Sequence, residues 1–214
     1  MRYGVTLLLV ASSVQLLAQK PAWSEPPRLV VGIVVDQMRA DYLYRYWNNF
    51  GDGGFKRMVK EGAFLRDAHF NYAPTHTGPG HASVYTGTTP RDHGIVANDM
   101  FVRTTGTGLY CVQDDRMIGV GGTGVKGQRS PYNLLSTTIA DELERRFDRR
   151  SKTIGVAMKD RSAILPIGRT GDAAYWFFEG LEGHFATSSW YMQELPQWLK
   201  DFNAQGRAIK YLQT

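Results

Sequence analysis

Cysteine is nearly absent from this 214-residue chain. Cys111 stands alone, so no internal disulfide can form and no cysteine-rich metal site can be built. It lies in residues 109–112 (LYCV), which read as a strand with no helix start beside them to lower a thiol pKa. A packed small hydrophobe is the better reading than a nucleophile. Histidine is scarce as well: His69, His76, His81, His93 and His184 are the whole set, few for a closed metal site made by this chain alone. After residue 18 no apolar run reaches the roughly 20 residues a membrane span needs. Dense cationic patches interleaved with aromatics are missing too. The net charge of +5 therefore suits anionic small substrates and does not call for nucleic acid. The strongest basic run, residues 145–150 (RRFDRR), reads as the solvated C-terminal end of a helix.

What is present begins with Arg2 and an apolar stretch from Val5 to Leu17. Residues 1–18 read as a secretory signal with cleavage after Ala18, which implies a periplasmic or secreted product. The alternative, an uncleaved anchor, needs a longer apolar run. Residues 19–28 are a linker in which Pro26 and Pro27 block regular structure.

From residue 29 on, strand-like and helix-like stretches alternate. Residues 29–35 (LVVGIVV) are continuously apolar and β-branched, the pattern of a strand buried on both faces of a parallel sheet. Helical spacing follows over residues 41–49 and 54–61, the latter with Gly62 as its stop. Residues 63–72 read as an interrupted strand, residues 77–86 as a helix, and residues 101–129 as a hairpin with Gly-rich loops. Residues 134–147 form an amphipathic helix, 153–158 a strand and 159–161 its loop. Residues 173–178 and 184–188 are strands, and 194–203 a last helix. This alternation predicts an α/β fold with a largely parallel sheet.

The chain is organised around residues 73–83 (APTHTGPGHAS). Thr77 heads a helix whose free N–H groups and positive dipole end suit an anion, and Gly78 and Gly80 allow close approach to the backbone. A threonine hydroxyl is a weak nucleophile until a metal lowers its pKa, so Thr77 reads either as that nucleophile or as an ordinary N-cap. Asp36 ends the first apolar run, where ligands of open α/β sheets gather; it could equally cap the next helix. Asn98 could offer its amide to a phosphoryl oxygen or close an Asx-turn. Lys159 and Arg161, at i and i+2, leave the same face if extended geometry persists, pairing a point charge with a planar fork. Their alternative is two solvated bases flanking Asp160. The adjacent Asp92 and His93 imitate a metal pair but sit in a Pro90-led turn, and read as structural. His76 and His81 flank Thr77, with His81 expected to pack beneath it.

Together, seven blocks carry a resemblance: VVGIVVDQMRADYLYRY, GGFKRM, APTHTGPGHAS, PRDHGIVANDMF, SPYNLLSTTIADEL, VAMKDRSAILP and ELPQWLKDFN. In this order they resemble the secreted bacterial phosphate-irrepressible alkaline phosphatases. These belong to the alkaline phosphatase superfamily and are close to the type I phosphodiesterase/nucleotide pyrophosphatases. The resemblance implies two zinc ions, Thr77 as nucleophile, and Asp36 with Thr77 as ligands of one zinc. It also implies Asn98 as amide donor, and Lys159 and Arg161 as the phosphoryl clamp of the monoesterase branch. The expected substrates are small phosphate monoesters, and oligomeric state is not indicated. The family's D-x-x-x-H segment, Asp-His pair and distant histidine have no counterpart after Arg161, where Asp172, His184 and Asp201 fit neither pattern. Residues 29–214 are therefore expected to be the N-terminal part of an alkaline-phosphatase-like catalytic domain. The isolated chain is expected to bind zinc weakly and turn over little. Phosphodiesterase or nucleotide pyrophosphatase activity is the enzymatic alternative, and a non-catalytic phosphate-binding fragment the other. A sulfatase is disfavoured, since Cys111 is followed by VQDD rather than the x-P-x-R its signature requires.

Overall fold

The computed structural model describes residues 28–178 and 183–207, so the expected leader, residues 1–18, and nearly all of the expected linker lie outside the described residues. The chain divides into two compact units, residues 1–35 and 36–214. Of the first unit only residues 28–35 are described. They run without helix or strand pairing, and Leu29, Val30, Val31, Ile33, Val34 and Val35 are all exposed. The expected buried strand is not formed. β-branched apolar residues favour extended backbone, but a strand exists only where a neighbour accepts its ladder of hydrogen bonds.

The second unit opens with short helices. They are α1 (Tyr42–Arg45), α2 (Phe55–Glu61), α3 (Thr77–Thr86) and α4 (Pro90–His93). Gly62 ends α2 as expected, and Gly87, at φ 67°, ends α3 in the left-handed conformation that a residue without Cβ adopts freely. Residues 63–72 hold turns and no strand. A two-stranded antiparallel hairpin follows, β1 (Asp99–Val102) with β2 (Thr107–Tyr110), in a register that sets Asp99 opposite Tyr110. After a short β3 (Gly119–Val120) comes α5 (Ile139–Arg146).

That helix starts later than its amphipathic pattern suggests. Thr138 and Asp141 form a reciprocal capping box that fixes the N-terminus at Ile139. The Asp141 carboxylate also accepts from the Arg169 and Thr170 backbone N–H groups at 2.9 and 2.8 Å.

The main sheet has the order β3-β6-β5-β4, with β4 (Ile154–Ala157), β5 (Ala173–Phe178) and β6 (His184–Ser188). It is mixed: β4 and β5 are parallel, connected through α6 (Asp160–Ile164), while β6 runs antiparallel to both β5 and β3. Side-chain alternation sends Ala174, Trp176 and Phe178 into one core with Ala82, Ile95, Cys111, Leu134 and Ile164. Ala173 and Tyr175 join Val120, Leu195 and Leu199 on the opposite face, where α7 (Gln197–Ala204) supplies Leu199. The first core is the platform for the site, because α3 and α6 both pack there against each other.

Candidate active site

Thr77 is the first residue of α3, not its cap. His76 occupies the N-cap position, and no side chain there bonds the helix. The Thr77 hydroxyl is therefore not spent on its own helix, and it donates to Asp36 Oδ2 at 3.0 Å across 41 residues of chain. Asp36 caps no helix either, since Asp41 holds that position for α1. It sits in a turn beside Gln37, whose φ of 61° is a left-handed conformation costly for any residue with a Cβ. Such backbone strain is found where the chain must aim a side chain.

Asn98 closes no Asx-turn. Its Oδ1 accepts the Gly78 N–H at 2.8 Å, twenty residues away, and so satisfies one of the orphan donors of α3. Because the amide oxygen is occupied by a backbone donor, the Nδ2 hydrogens are the face Asn98 has left to offer. Gly78 makes this approach possible. A Cβ there would stand 3.1 Å from Asn98 Oδ1 and 3.2 Å from Cys111 Sγ. Burial and then the nearby Asp160 carboxylate push the Cys111 thiol up to about 12, so it stays protonated and serves as packing.

Lys159 and Arg161 do not leave a continuing strand. Extended geometry ends at Lys159, the N-cap of α6, and Arg161 is already helical, so the shared-face argument from spacing fails. The reason is Asp160. Its Oδ1 accepts the Arg161 N–H at 2.7 Å and turns the backbone at the first helical residue. Lys159 is exposed at the helix start. The Arg161 side chain turns inward, and Nη1 donates to the Tyr110 hydroxyl at 2.8 Å. Tyr110 precedes Cys111, whose N–H donates to the Asn98 carbonyl at 2.8 Å. A continuous run of contacts thus links Asp36, Thr77, Gly78, Asn98 and the hairpin to Arg161.

The decoys resolve structurally. Fully buried His93 accepts the Ile95 N–H on Nδ1 at 3.1 Å, so Nε2 carries the proton and donates to Ser83 Oγ at 2.9 Å. Neither nitrogen is available to a metal, and Ser83 faces a donor rather than a base. Asp92 accepts from the Thr88 and Thr89 hydroxyls, which with its own partners hold its carboxyl below the usual range. His81 packs beneath Thr77 as expected, donating from Nδ1 to the Thr77 carbonyl at 2.8 Å. His76 is exposed.

Among the described residues no group of three or more His, Cys, Asp or Glu side chains is arranged to hold a metal ion. The Asp36 carboxylate and Thr77 hydroxyl are nonetheless two hard oxygen donors within one coordination distance of a common ion, a fitting half-site for a divalent cation. Sequence reasoning passed over Tyr110, Asp160 and Arg129. The signal was the carboxylate between two cations in KDR, which reads as a spacer until its partners are seen.

Comparison with known proteins bears on these residues. A protein of Myroides odoratus named calcium-transporting ATPase is 49% identical over 187 residues, covering 87% of this chain and 34% of its own length. The alkaline phosphatase PhoV of Synechococcus elongatus is 48% identical over the same shares. The crystal structure of alkaline phosphatase PafA superposes with a TM-score of 0.83 at 47% identity, covering 85% of this chain and 35% of that one. A solved variant of PafA carries substitutions of a threonine, an asparagine, a lysine and an arginine. The chain thus spans about a third of the length of the relatives it matches. Residues 30–209 match the model of one family across nearly all the described fold, and the chain belongs to the type I phosphodiesterase/nucleotide pyrophosphatase family.

Proposed function

We propose that this segment carries the nucleophilic half of a phosphate monoester hydrolase working through Thr77 and a phospho-threonine intermediate. The observation that carries the reading is the Thr77 hydroxyl, free of its helix and held 3.0 Å from Asp36 Oδ2. Asp36 and Thr77 would hold one zinc ion, and the remaining ligands of that ion and of a second would come from outside the described residues. Bound zinc supplies Lewis acidity, lowering the hydroxyl pKa and neutralising charge as the ester bond breaks.

The chain's own residues do the rest. Asp36 orients the Thr77 oxygen for in-line attack on phosphorus, and the P–O bond to the leaving group breaks as the Thr77 O–P bond forms. The hydroxyl proton passes to solvent, and the departing alkoxide takes up a proton from water to leave as the alcohol. Asn98 Nδ2 donates to one non-bridging oxygen. Arg161 and Lys159 grip the remaining free oxygens, which a monoester has and a diester partly lacks. Water then cleaves the threonyl phosphate, releasing inorganic phosphate and regenerating the hydroxyl.

The same four residue types, in the same chain order, are those altered in the PafA variant, which supports assigning the roles to Thr77, Asn98, Lys159 and Arg161. The ATPase name of the Myroides relative fits the same chemistry, since a terminal phosphoryl group also presents three free oxygens. The apolar N-terminal residues 1–18, read as a secretory signal, support a periplasmic or secreted location. Among the described residues no helix is long and apolar enough to cross a membrane.

The test compares a phosphate monoester with its methyl diester in the full polypeptide that carries this segment. Lys159→Ala or Arg161→Ala should lower monoester kcat/KM by about one to two decades, given roughly 1.5–3 kcal/mol per charge-assisted hydrogen bond. An unchanged monoester rate in the double variant, or a wild-type preference for the diester, overturns the reading.

A further inference from the structure

We infer that Tyr110, Asp160 and Arg129 form a brace that positions Arg161, committing one edge of its guanidinium to the protein so that the Nε/Nη2 edge meets the phosphoryl oxygens. The inference rests on the phosphatase reading above and adds residues that act through Arg161 rather than on substrate.

The hydrogen-bond directions are dictated by chemistry. Arg161 Nη1 can only donate, so the Tyr110 oxygen accepts at 2.8 Å. The phenol's single hydrogen is then donated to Asp160 Oδ1 at 2.5 Å. Burial, reinforced by that carboxylate, raises the Tyr110 pKa and keeps the hydrogen in place. The other carboxylate oxygen accepts from Arg129 Nε at 2.6 Å, and both of those side chains are only 13% exposed. The Arg129 guanidinium also lies 4.8 Å from the Tyr110 ring centroid, fixing the ring from its face. Asp160 takes the Arg161 backbone N–H as well, so one carboxylate sets both the start of α6 and the arginine's side-chain partner.

Arg161 Nε, although buried, has no hydrogen-bond partner among the described residues. An orphaned buried donor is costly, and the fork of Nε and Nη2 is the edge that binds an oxyanion through two parallel bonds. A phosphoryl group would satisfy that donor. Three residues from three stretches of the chain set the Nη1 edge through the Tyr110 oxygen and leave Nε without a partner among the described residues.

A double-mutant cycle between Tyr110 and Arg161 tests this in the metal-supplied full polypeptide, reading monoester kcat/KM and, separately, inorganic phosphate affinity by calorimetry. Tyr110→Phe keeps the ring under Arg129 and should lower kcat/KM about five- to thirtyfold, with phosphate affinity weakened in parallel. The Tyr110→Phe/Arg161→Ala pair should be no worse than Arg161→Ala alone, within about twofold. Multiplicative losses, or a Tyr110→Phe enzyme as fast as wild type beside a crippled Arg161→Ala, overturn the brace and leave the phosphatase reading standing. An Arg161→Ala enzyme with the wild-type monoester rate overturns both. Asp160→Asn, run through the same cycle, should couple to Arg161 likewise; it decides the matter if Tyr110→Phe does not fold.

Discussion

His93 shows how a residue that looks like chemistry is consumed by packing. It is fully buried, donates to Ser83 and accepts from Ile95, an arrangement that requires the neutral ring. Burial holds its pKa below the usual imidazole range against smaller opposing effects of the backbone and Asp92. In the unfolded chain it titrates near 6.5. As pH falls below that value the unfolded state binds the proton first, so stability is lost on acidification down through the folded-state pKa. Denaturation midpoints in urea should therefore fall between pH 7.5 and pH 5. In His93→Gln they should start lower and fall less over the same interval. Equal slopes in the two proteins would remove His93 as the cause. Cys111 was legible from sequence as an inert small hydrophobe because nothing near it could stabilise a thiolate. Tyr110 was not legible, since its role depends on an aspartate fifty residues away.

At the scale of elements, α6 decides where Lys159 and Arg161 stand, and β4 decides where α6 stands. Gly155 in β4 is the contact point: a Cβ there would overlap the Ala163 carbonyl oxygen and press on Ile167. Gly155→Ala should displace α6 and destabilise the fold by about 1–3 kcal/mol, the usual cost of overpacking. The measurements are the urea midpoint and monoester kcat/KM, both expected to fall. A neutral effect would mean that α6 can shift without consequence for Arg161. The helix over Thr77–Thr86 was readable to the residue, because glycine and proline sit only where a first turn tolerates them and Gly87 ends it. The late start of α5 was not, because amphipathic spacing marks a face while the Thr138–Asp141 box marks the end. The strand expected at residues 63–72 failed for a related reason: alternation over a few residues does not supply a hydrogen-bonding neighbour.

At the scale of the whole chain, the proposed metal site is incomplete. Asp36 and Thr77 offer two oxygens, and no third ligand joins them among the described residues. Two-oxygen sites bind divalent ions weakly, since affinity grows with the number of pre-arranged ligands. The 214-residue chain purified by itself should therefore take up zinc poorly in an equilibrium dialysis assay and show little or no phosphatase turnover. Substantial chelator-sensitive turnover by this chain would contradict that expectation. Phosphate affinity that persists unchanged in chelator would point instead to a non-catalytic binding fragment.

Residue order alone determined the family resemblance, the α/β class and the helix at Thr77, and it nominated Thr77, Asp36, Asn98, Lys159 and Arg161 as candidates. All of these follow from local propensity and from motif blocks contiguous in the chain. Tertiary structure alone decided which atoms of Thr77, Asn98 and Arg161 are already engaged. Whether a hydroxyl is spent on its own helix, which end of an amide faces outward, and which edge of a guanidinium is already occupied depend on partners up to 51 residues distant. Such partners meet only once burial of the common core has brought α3, the hairpin and α6 together, and no local pattern encodes that meeting.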